Sequence, residues 1–171
     1  MRGKAHLATG LITGLTLGIL TLSDSTGVGG MLSLAAASAV GSLAPDMDLP
    51  TSTVGKKVKP IAIVINKMFG HRTITHAPLW IIPLVILYIM MPKFLTSPNI
   101  PIWQSALLGY IAGYICHLIG DILTKGGIPL LYPFSKKRVH LTNIESGAHD
   151  VILSIIVIVT IILLEVAWIN L

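Results

Sequence analysis

Residues 102–123 read IWQSALLGYIAGYICHLIGDIL, an apolar run whose one charged residue is Asp121. A run of about 20 mostly apolar residues is long enough to cross the hydrocarbon core of a bilayer as a helix. A helix is required because backbone polar groups in lipid must be satisfied within the segment itself. We therefore predict a membrane-spanning helix that carries His117 and Asp121 in its last turns.

Four further apolar stretches extend this prediction to the rest of the chain. They run from Ala5 to Leu22, from Val28 to Ala44, from Ala77 to Met91 and from Val151 to Leu171. Only 11% of the residues are charged, whereas a soluble domain has about a quarter. We expect a single integral membrane domain over residues 1–171, all-α, with about five transmembrane or re-entrant helices. The short stretch from Ala77 to Met91 either crosses fully or re-enters.

The basic residues predict the orientation of these helices. Eleven of the twelve lie before the first stretch or in the loops after the second and fourth, and only Lys93 lies elsewhere. Because cytoplasmic loops are enriched in lysine and arginine, we place the N-terminus and these two loops in the cytoplasm. The net charge of +5 is then explained by anionic lipid beside the basic loops, and nucleic acid is the disfavoured partner. The basic N-terminus also resembles a signal peptide, but the later apolar stretches favour an uncleaved anchor in the inner (plasma) membrane.

Ionisable residues gather at the predicted cytoplasmic ends of the stretches. His117 and Asp121 are four residues apart and so project from one helix face. Imidazole suits zinc and other transition metals, and carboxylate also suits harder divalent ions. The single cysteine, Cys116, excludes a cysteine-rich zinc site. We predict a site for one or two divalent ions, zinc or else manganese or iron, whose metal ligands are His6, Asp46, Asp48, His71, His76, His117 and Asp121.

Within this set, the core ligands are expected to be His117, Asp121, His71 and Asp46, with His6, His76 and Asp48 completing a second site. The catalytic candidates are Asp48, which would position or deprotonate a metal-activated water, Arg72, which would hold an anionic substrate, and Thr124, which would orient a ligand. Structural alternatives remain open for several of them. His6 could be a hydrogen-bonded helix-end residue, Arg72 could reach from the bilayer interface to water, and Thr124 could cap a loop.

These residues form motifs that resemble a known family. The motifs are His6, Pro45-Asp46-Met47-Asp48, Gly70-His71-Arg72-Thr73-Ile74-Thr75-His76 and His117-Leu118-Ile119-Gly120-Asp121-Ile122-Leu123-Thr124. They are similar to those of the YdjM-like family, described as LexA-binding, inner-membrane-associated hydrolases and as membrane-bound metal-dependent hydrolases. The chain departs from the family pattern at Ala77, where a small hydroxyl residue is usual, and at Asp150, where a glutamate is usual. The order of the motifs is more loosely similar to that of zinc-dependent phospholipases C.

The sequence therefore predicts a membrane-bound metal-dependent hydrolase with phosphoesterase-like chemistry. Its expected partners are membrane lipid and an anionic lipid or lipid-linked phosphoester, cleaved at the cytoplasmic leaflet. One alternative is a divalent-metal transporter or sensor, although a transport site is usually near the bilayer midplane. The other is a non-catalytic regulatory membrane protein whose basic loops bind a partner. Metal identity, substrate and oligomeric state stay open.

Overall fold

The computed structural model describes residues 3–21, 26–143 and 145. The helices within these residues are α1 (Gly3–Leu20), α2 (Gly27–Gly41), α3 (Lys59–Phe69), α4 (Ile81–Phe94) and α5 (Ile100–Ile122). Short 3₁₀ turns occupy Ala44–Asp48, Ile74–His76 and Pro78–Trp80. No β-strand is formed in the described part of the chain, so the predicted all-α class is confirmed there. The predicted span from Val151 to Leu171 lies outside the described residues.

Helix α2 packs between α1 and α5, and small residues allow the close approach. A β-carbon on Gly14 would lie 2.6 Å from the Cα atom of Ala35, and one on Gly113 would collide with the backbone of Ser38. The Ser38 hydroxyl donates a hydrogen bond of 2.6 Å to the carbonyl oxygen of Gly10. Small residues at such spacing let backbones touch, which is a usual basis of helix association in membranes.

Two segments of the described chain are long and apolar enough to cross a membrane, Gly27–Asp48 and Ile100–Ile122. The stretch Pro78–Phe94 is a shorter apolar helix, and α1 forms a helix over the first predicted span without being one of the two. Large apolar side chains of α4, such as Ile82, Ile86 and Ile89, are exposed. The prediction of about five spans is therefore not confirmed, although each predicted stretch in the described residues is helical.

The loop between α2 and α4 contains a separate short helix. Helix α3 has Pro60 in its first turn, where the missing N–H costs nothing. Its one buried residue is Ala62, and it exposes Val64 and Met68 along its length. Gly70 ends the helix with a φ of 81°, a conformation that favours glycine. This turn delivers His71 and the residues after it to the end of the helix bundle.

Candidate metal centre

The predicted site residues converge at the end of the bundle where α1 begins and α5 ends. Helix α1 contributes His6, the 3₁₀ turn after α2 contributes Asp46 and Asp48, the segment before α4 contributes His71, Arg72 and His76, and α5 contributes His117 and Asp121. Five of these side chains are 0–1% exposed: His6, Asp48, His76, His117 and Asp121. Buried ionisable groups are costly without a partner, so this burial requires the contacts described next.

Three ligand-type atoms form a tight triangle in the middle of the cluster. The Nε2 atoms of His76 and His117 are 3.2 Å apart. The Oδ2 atom of Asp121 lies 3.3 Å from the first nitrogen and 3.5 Å from the second. Two ligands of one tetrahedral zinc ion, with bonds of about 2.0–2.1 Å, lie about 3.3 Å apart. The triangle therefore has the dimensions of one face of a tetrahedral metal site.

Two more residues lie next to this triangle. The Oδ1 atom of Asp46 is 3.9 Å from Nε2 of both His76 and His117. His6 stacks on His117 with ring centroids 3.7 Å apart, and its Nε2 lies 3.5 Å from Oδ1 of Asp121. Neither ring nitrogen of His6 has a hydrogen-bond partner of good geometry among the described residues. Besides the central triangle, the cluster thus contains two groups of three that could hold an ion, His6–His117–Asp121 and Asp46–His76–His117.

The orientation of His117 is fixed by the backbone of α2. Its Nδ1 donates a hydrogen bond of 2.6 Å to the carbonyl oxygen of Ser42. A carbonyl can only accept, so Nδ1 carries the proton and the neutral ring has its lone pair on Nε2. That lone pair faces His76 and Asp121, as a metal-binding histidine requires.

The second histidine, His76, is held in the same way by side chains. Its Nδ1 lies 3.0 Å from the Thr75 hydroxyl and 3.6 Å from Oδ2 of Asp48. Burial lowers the pKa of His76, but the carboxylates of Asp121 and Asp48 outweigh burial and raise the pKa above its ordinary value. Because the Thr75 hydroxyl donates to Asp48, it accepts from Nδ1–H of His76. A neutral His76 with this tautomer has its lone pair on Nε2, facing that of His117 across 3.2 Å, which is favourable only with a cation or a proton between them.

Asp48 organises the segment before α4 and is not in either group of converging ligands. Its Oδ1 accepts a hydrogen bond of 2.7 Å from Nδ1 of His71. Its Oδ2 accepts one of 3.0 Å from the backbone N–H of Arg72 and one of 2.6 Å from the Thr75 hydroxyl. His71, expected as a core ligand, is thus bound to Asp48 and also lies outside both groups. Its role as a ligand stays a prediction.

The guanidinium of Arg72 places a positive charge next to the ligand atoms. Its guanidinium donates to Oδ1 of Asp121 at 3.0 Å and packs where a side chain on Gly126 would be. The backbone of Arg72 has a φ of 58°, a left-handed conformation that costs a non-glycine residue about 1 kcal/mol or more. Backbone strain of this kind is concentrated at functional sites. The side chain is 12% exposed, so a small part of it meets solvent.

Thr124 has a structural role in this arrangement. Its buried hydroxyl donates a hydrogen bond of 2.9 Å to the carbonyl oxygen of Asp121 and closes the last turn of α5. This contact agrees with the capping alternative that the sequence left open, and the predicted catalytic role is untested. Asp150, the other residue left open, lies outside the described residues.

Sequence reasoning missed several groups that hold the site in place. They are the Ser42 carbonyl, the Thr75 hydroxyl, and Arg138, which donates a 2.7 Å hydrogen bond to the carbonyl oxygen of His71. Tyr114 was also missed, and its hydroxyl donates to the carbonyl oxygens of Thr75 and Ala77 at 2.9 and 3.0 Å. A backbone carbonyl leaves no sequence signal. Thr75 lies inside the motif around His71 and could have been included.

The fold and this cluster define a class: a helical protein with two candidate membrane spans and a buried histidine–aspartate cluster that could bind a metal ion. Comparison with known families assigns the chain within that class. It belongs to the family described as YdjM inner membrane protein, whose family model matches residues 1–170. The predicted family is therefore confirmed, and the protein is an inner membrane protein.

Three curated relatives show how far the similarity extends. The chain is 38% identical over 92 residues to inner membrane protein YdjM of Escherichia coli and to that of Shigella flexneri, covering 53% of this chain and 44% of each relative. It is 33% identical over 141 residues to the uncharacterized protein YvsG of Bacillus subtilis, covering 82% of this chain and 78% of that protein. The chain thus spans less than half the length of the two YdjM relatives. No solved structure matches the chain.

Proposed function

We propose that the protein is a metal-dependent hydrolase that cleaves a phosphoester of a lipid or lipid-linked molecule at the cytoplasmic leaflet. The observation that carries this proposal is the triangle of His76 Nε2, His117 Nε2 and Asp121 Oδ2, with sides of 3.2, 3.3 and 3.5 Å, next to the Arg72 guanidinium. The triangle offers donor atoms that suit a divalent metal, and the Arg72 guanidinium beside it is a positive group that suits phosphate.

The residues present fit a divalent ion. The cluster contains the carboxylates of Asp46, Asp48 and Asp121, and the guanidinium of Arg72 contacts that of Asp121. Three carboxylates beside one guanidinium, all largely buried, favour a further positive charge, which a protonated histidine or a metal ion would supply. The donor set of imidazoles and carboxylates suits zinc, with manganese and iron as the other expected ions.

The geometry favours one ion. The central triangle and both other groups of three include His117, and its Nδ1 is already used by the Ser42 carbonyl. Only Nε2 of His117 can therefore bind a metal. His76, His117 and Asp121 would be the ligands, with Asp46 or His6 as a fourth.

When bound, the ion would act as a Lewis acid toward the phosphoryl oxygen and lower the pKa of water at the site. The protein's own residues would do the rest. Asp46 is 13% exposed and faces both histidines, so it is placed to accept a proton. Asp48 is fully engaged by its three donors and would position His76. Arg72 would hold a non-bridging phosphoryl oxygen, an interaction that strengthens as negative charge builds up on the phosphoryl group.

The membrane arrangement is part of the proposal. We take the chain to be multi-pass, with about five transmembrane or re-entrant helices and with the N-terminus and the centre on the cytoplasmic side. Two candidate spans and the basic loops around them support this orientation. Because the centre is at the end of the bundle, a substrate anchored in the inner leaflet would reach it without crossing the bilayer.

Hydrolysis by the purified, metal-loaded protein tests the proposal. Phosphoesters of soluble and lipid alcohols would be supplied with zinc, manganese or iron, and phosphate or alcohol release would be measured. We expect release by the wild type and its loss in His76→Ala, with Cys116→Ser as a matched variant in α5 that stays active. Metal uptake into proteoliposomes without hydrolysis would instead identify a transporter.

A further inference from the structure

An apolar groove lies beside the metal centre, between α3, α4 and α5. Its volume is about 490 Å³, within the range of small-molecule sites. Helix α3 contributes Ile65, α4 contributes Leu84 and Leu87, α5 contributes Tyr110, and Trp80 lies at the start of α4. Nothing in the mechanism above uses this groove.

The wall between the groove and the centre includes Thr75 and Met47. Thr75 lines the groove, and its hydroxyl donates the 2.6 Å bond to Asp48. Met47, between Asp46 and Asp48, lines it as well. Tyr114 stabilises this wall by donating to the carbonyl oxygen of Thr75 at 2.9 Å. A molecule lying in the groove would thus have one end next to the ligand residues.

The size and lining of the groove indicate its occupant. A helix about 10–12 Å in diameter with a pitch of about 5.4 Å fills roughly this volume with a single turn, so another spanning helix would not fit inside it. A polar ligand would lose its hydrogen bonds to water against an apolar lining. A hydrocarbon chain is thin and apolar, and the surrounding membrane supplies it.

The charges around the groove indicate the head group of that molecule. Helix α3 forms one wall of the groove, and four exposed lysines lie just before it or within it: Lys56, Lys57, Lys59 and Lys67. Arg72 lies beside the centre with part of its side chain exposed. Such basic groups attract an anionic head group at the cytoplasmic surface.

We infer that the groove holds the hydrocarbon chain of a single-chain or long-chain lipid phosphate, with its head group at the histidine–aspartate centre. The inference rests on the proposed function and names its substrate class. It makes the groove the determinant of chain recognition. Short, water-soluble phosphoesters would then bind far more weakly than long-chain alkyl phosphates.

Tryptophan fluorescence in the purified full-length protein tests this directly. In a Trp103→Phe/Trp168→Phe background, Trp80 is the remaining tryptophan, and it lines the groove. The probe is a brominated dodecyl phosphate, whose bromine quenches a tryptophan that it contacts. We expect saturable quenching of Trp80 that unbrominated dodecyl phosphate reverses by competition.

Filling the groove provides the matched comparison. Leu84→Phe adds bulk inside the groove, whereas Ile86→Phe makes a comparable change on the same helix at a residue that is 55% exposed. Displacing about two methylene groups should weaken probe binding about tenfold. We expect this loss in Leu84→Phe and in Ile65→Phe on the opposite wall, and no change in Ile86→Phe. Unchanged metal content in each variant would show that the fold is intact.

The outcomes separate this inference from the proposed function. Quenching that does not saturate, or that is the same in Leu84→Phe and Ile86→Phe, would show contact with bulk lipid or detergent and overturn the inference. Hydrolysis of short and long phosphoesters at equal rates would also overturn it and leave the hydrolase intact. Saturable, groove-dependent binding in a protein that takes up no metal would support the groove and refute the hydrolase.

Discussion

Asp48→Asn removes one negative charge from the centre without changing the size of the side chain. The asparagine oxygen can keep the Oδ2 contacts with the Arg72 N–H and the Thr75 hydroxyl. Its NH₂ group then replaces the oxygen that accepts from Nδ1 of His71. One charge-assisted hydrogen bond is lost, and such a bond contributes about 1.5–3 kcal/mol. The free energy of unfolding of the metal-free protein should fall by about that amount.

The same substitution should weaken metal binding without abolishing it. The Asp48 carboxylate lies 3.6 Å from Nδ1 of His76, the ring nitrogen that does not face the other ligand atoms. Loss of a residue that orients a ligand typically lowers metal affinity by about 10–100-fold. The assay is a competition titration with a chelator of known affinity, together with denaturation of the metal-free protein in detergent. Asp46→Asn is the control, because the Asp46 carboxylate faces the two histidine nitrogens at 3.9 Å and should affect affinity more than metal-free stability.

A particular result would refute this reasoning. If Asp48→Asn loses the metal altogether while the metal-free protein keeps its full stability, Asp48 is a ligand and not a positioning residue. Unchanged affinity and stability would show that the hydrogen bonds to His71, Arg72 and Thr75 do not hold the centre together.

Other predictions follow from the packing and the charges. Gly113→Ala, which meets the backbone of α2, should lower the melting temperature, whereas Gly29→Ala, which meets open space, should not. Gly126→Ala should push the Arg72 guanidinium aside, and hydrolysis should fall by tenfold or more while metal content is retained; equal activity would argue against a role for Arg72. The raised pKa of His76 means that its protonated form stabilises the metal-free protein fully below pH about 6.5. This contribution is lost as pH rises through the raised pKa, so the melting temperature of the metal-free protein should fall at higher pH. The melting temperature of the metal-loaded protein should rise instead, because a metal binds the deprotonated ligands. Melting curves in detergent with and without a chelator check both signs.

The sequence predicted the fold well where a long apolar run determines it. The run from residue 102 to residue 123 forms α5, Ile100–Ile122. The sequence was less informative about α3 and the 3₁₀ turns. Their conformation depends on Gly70 and on contacts such as Asn66 to the Asp48 carbonyl oxygen, at 3.0 Å. Such contacts join residues that are distant in the sequence and leave no local pattern.

The composition of the site was predictable, and the division of roles within it was not. Polar residues beside lipid must be paired or functional, so the pattern of histidines and aspartates was enough to find the cluster. Which of them face one another depends on distances below 4 Å that periodicity cannot give. His71 and Asp48, both expected as ligands, form a hydrogen-bonded pair outside both groups of converging ligands, and their roles as ligands stay predictions. His76, which was assigned to a second site, lies in the central triangle with His117 and Asp121.

The metal content of the detergent-purified protein, measured by elemental analysis, tests the central claim most directly. The wild type should contain about one zinc, manganese or iron ion per chain after reloading, and the His117→Ala/Asp121→Ala variant should contain none. Cys116→Ser, next to His117 in α5, should keep the wild-type amount. No metal in the wild type after reloading, or equal metal in the double variant, would contradict the account and leave the cluster as a polar network between helices.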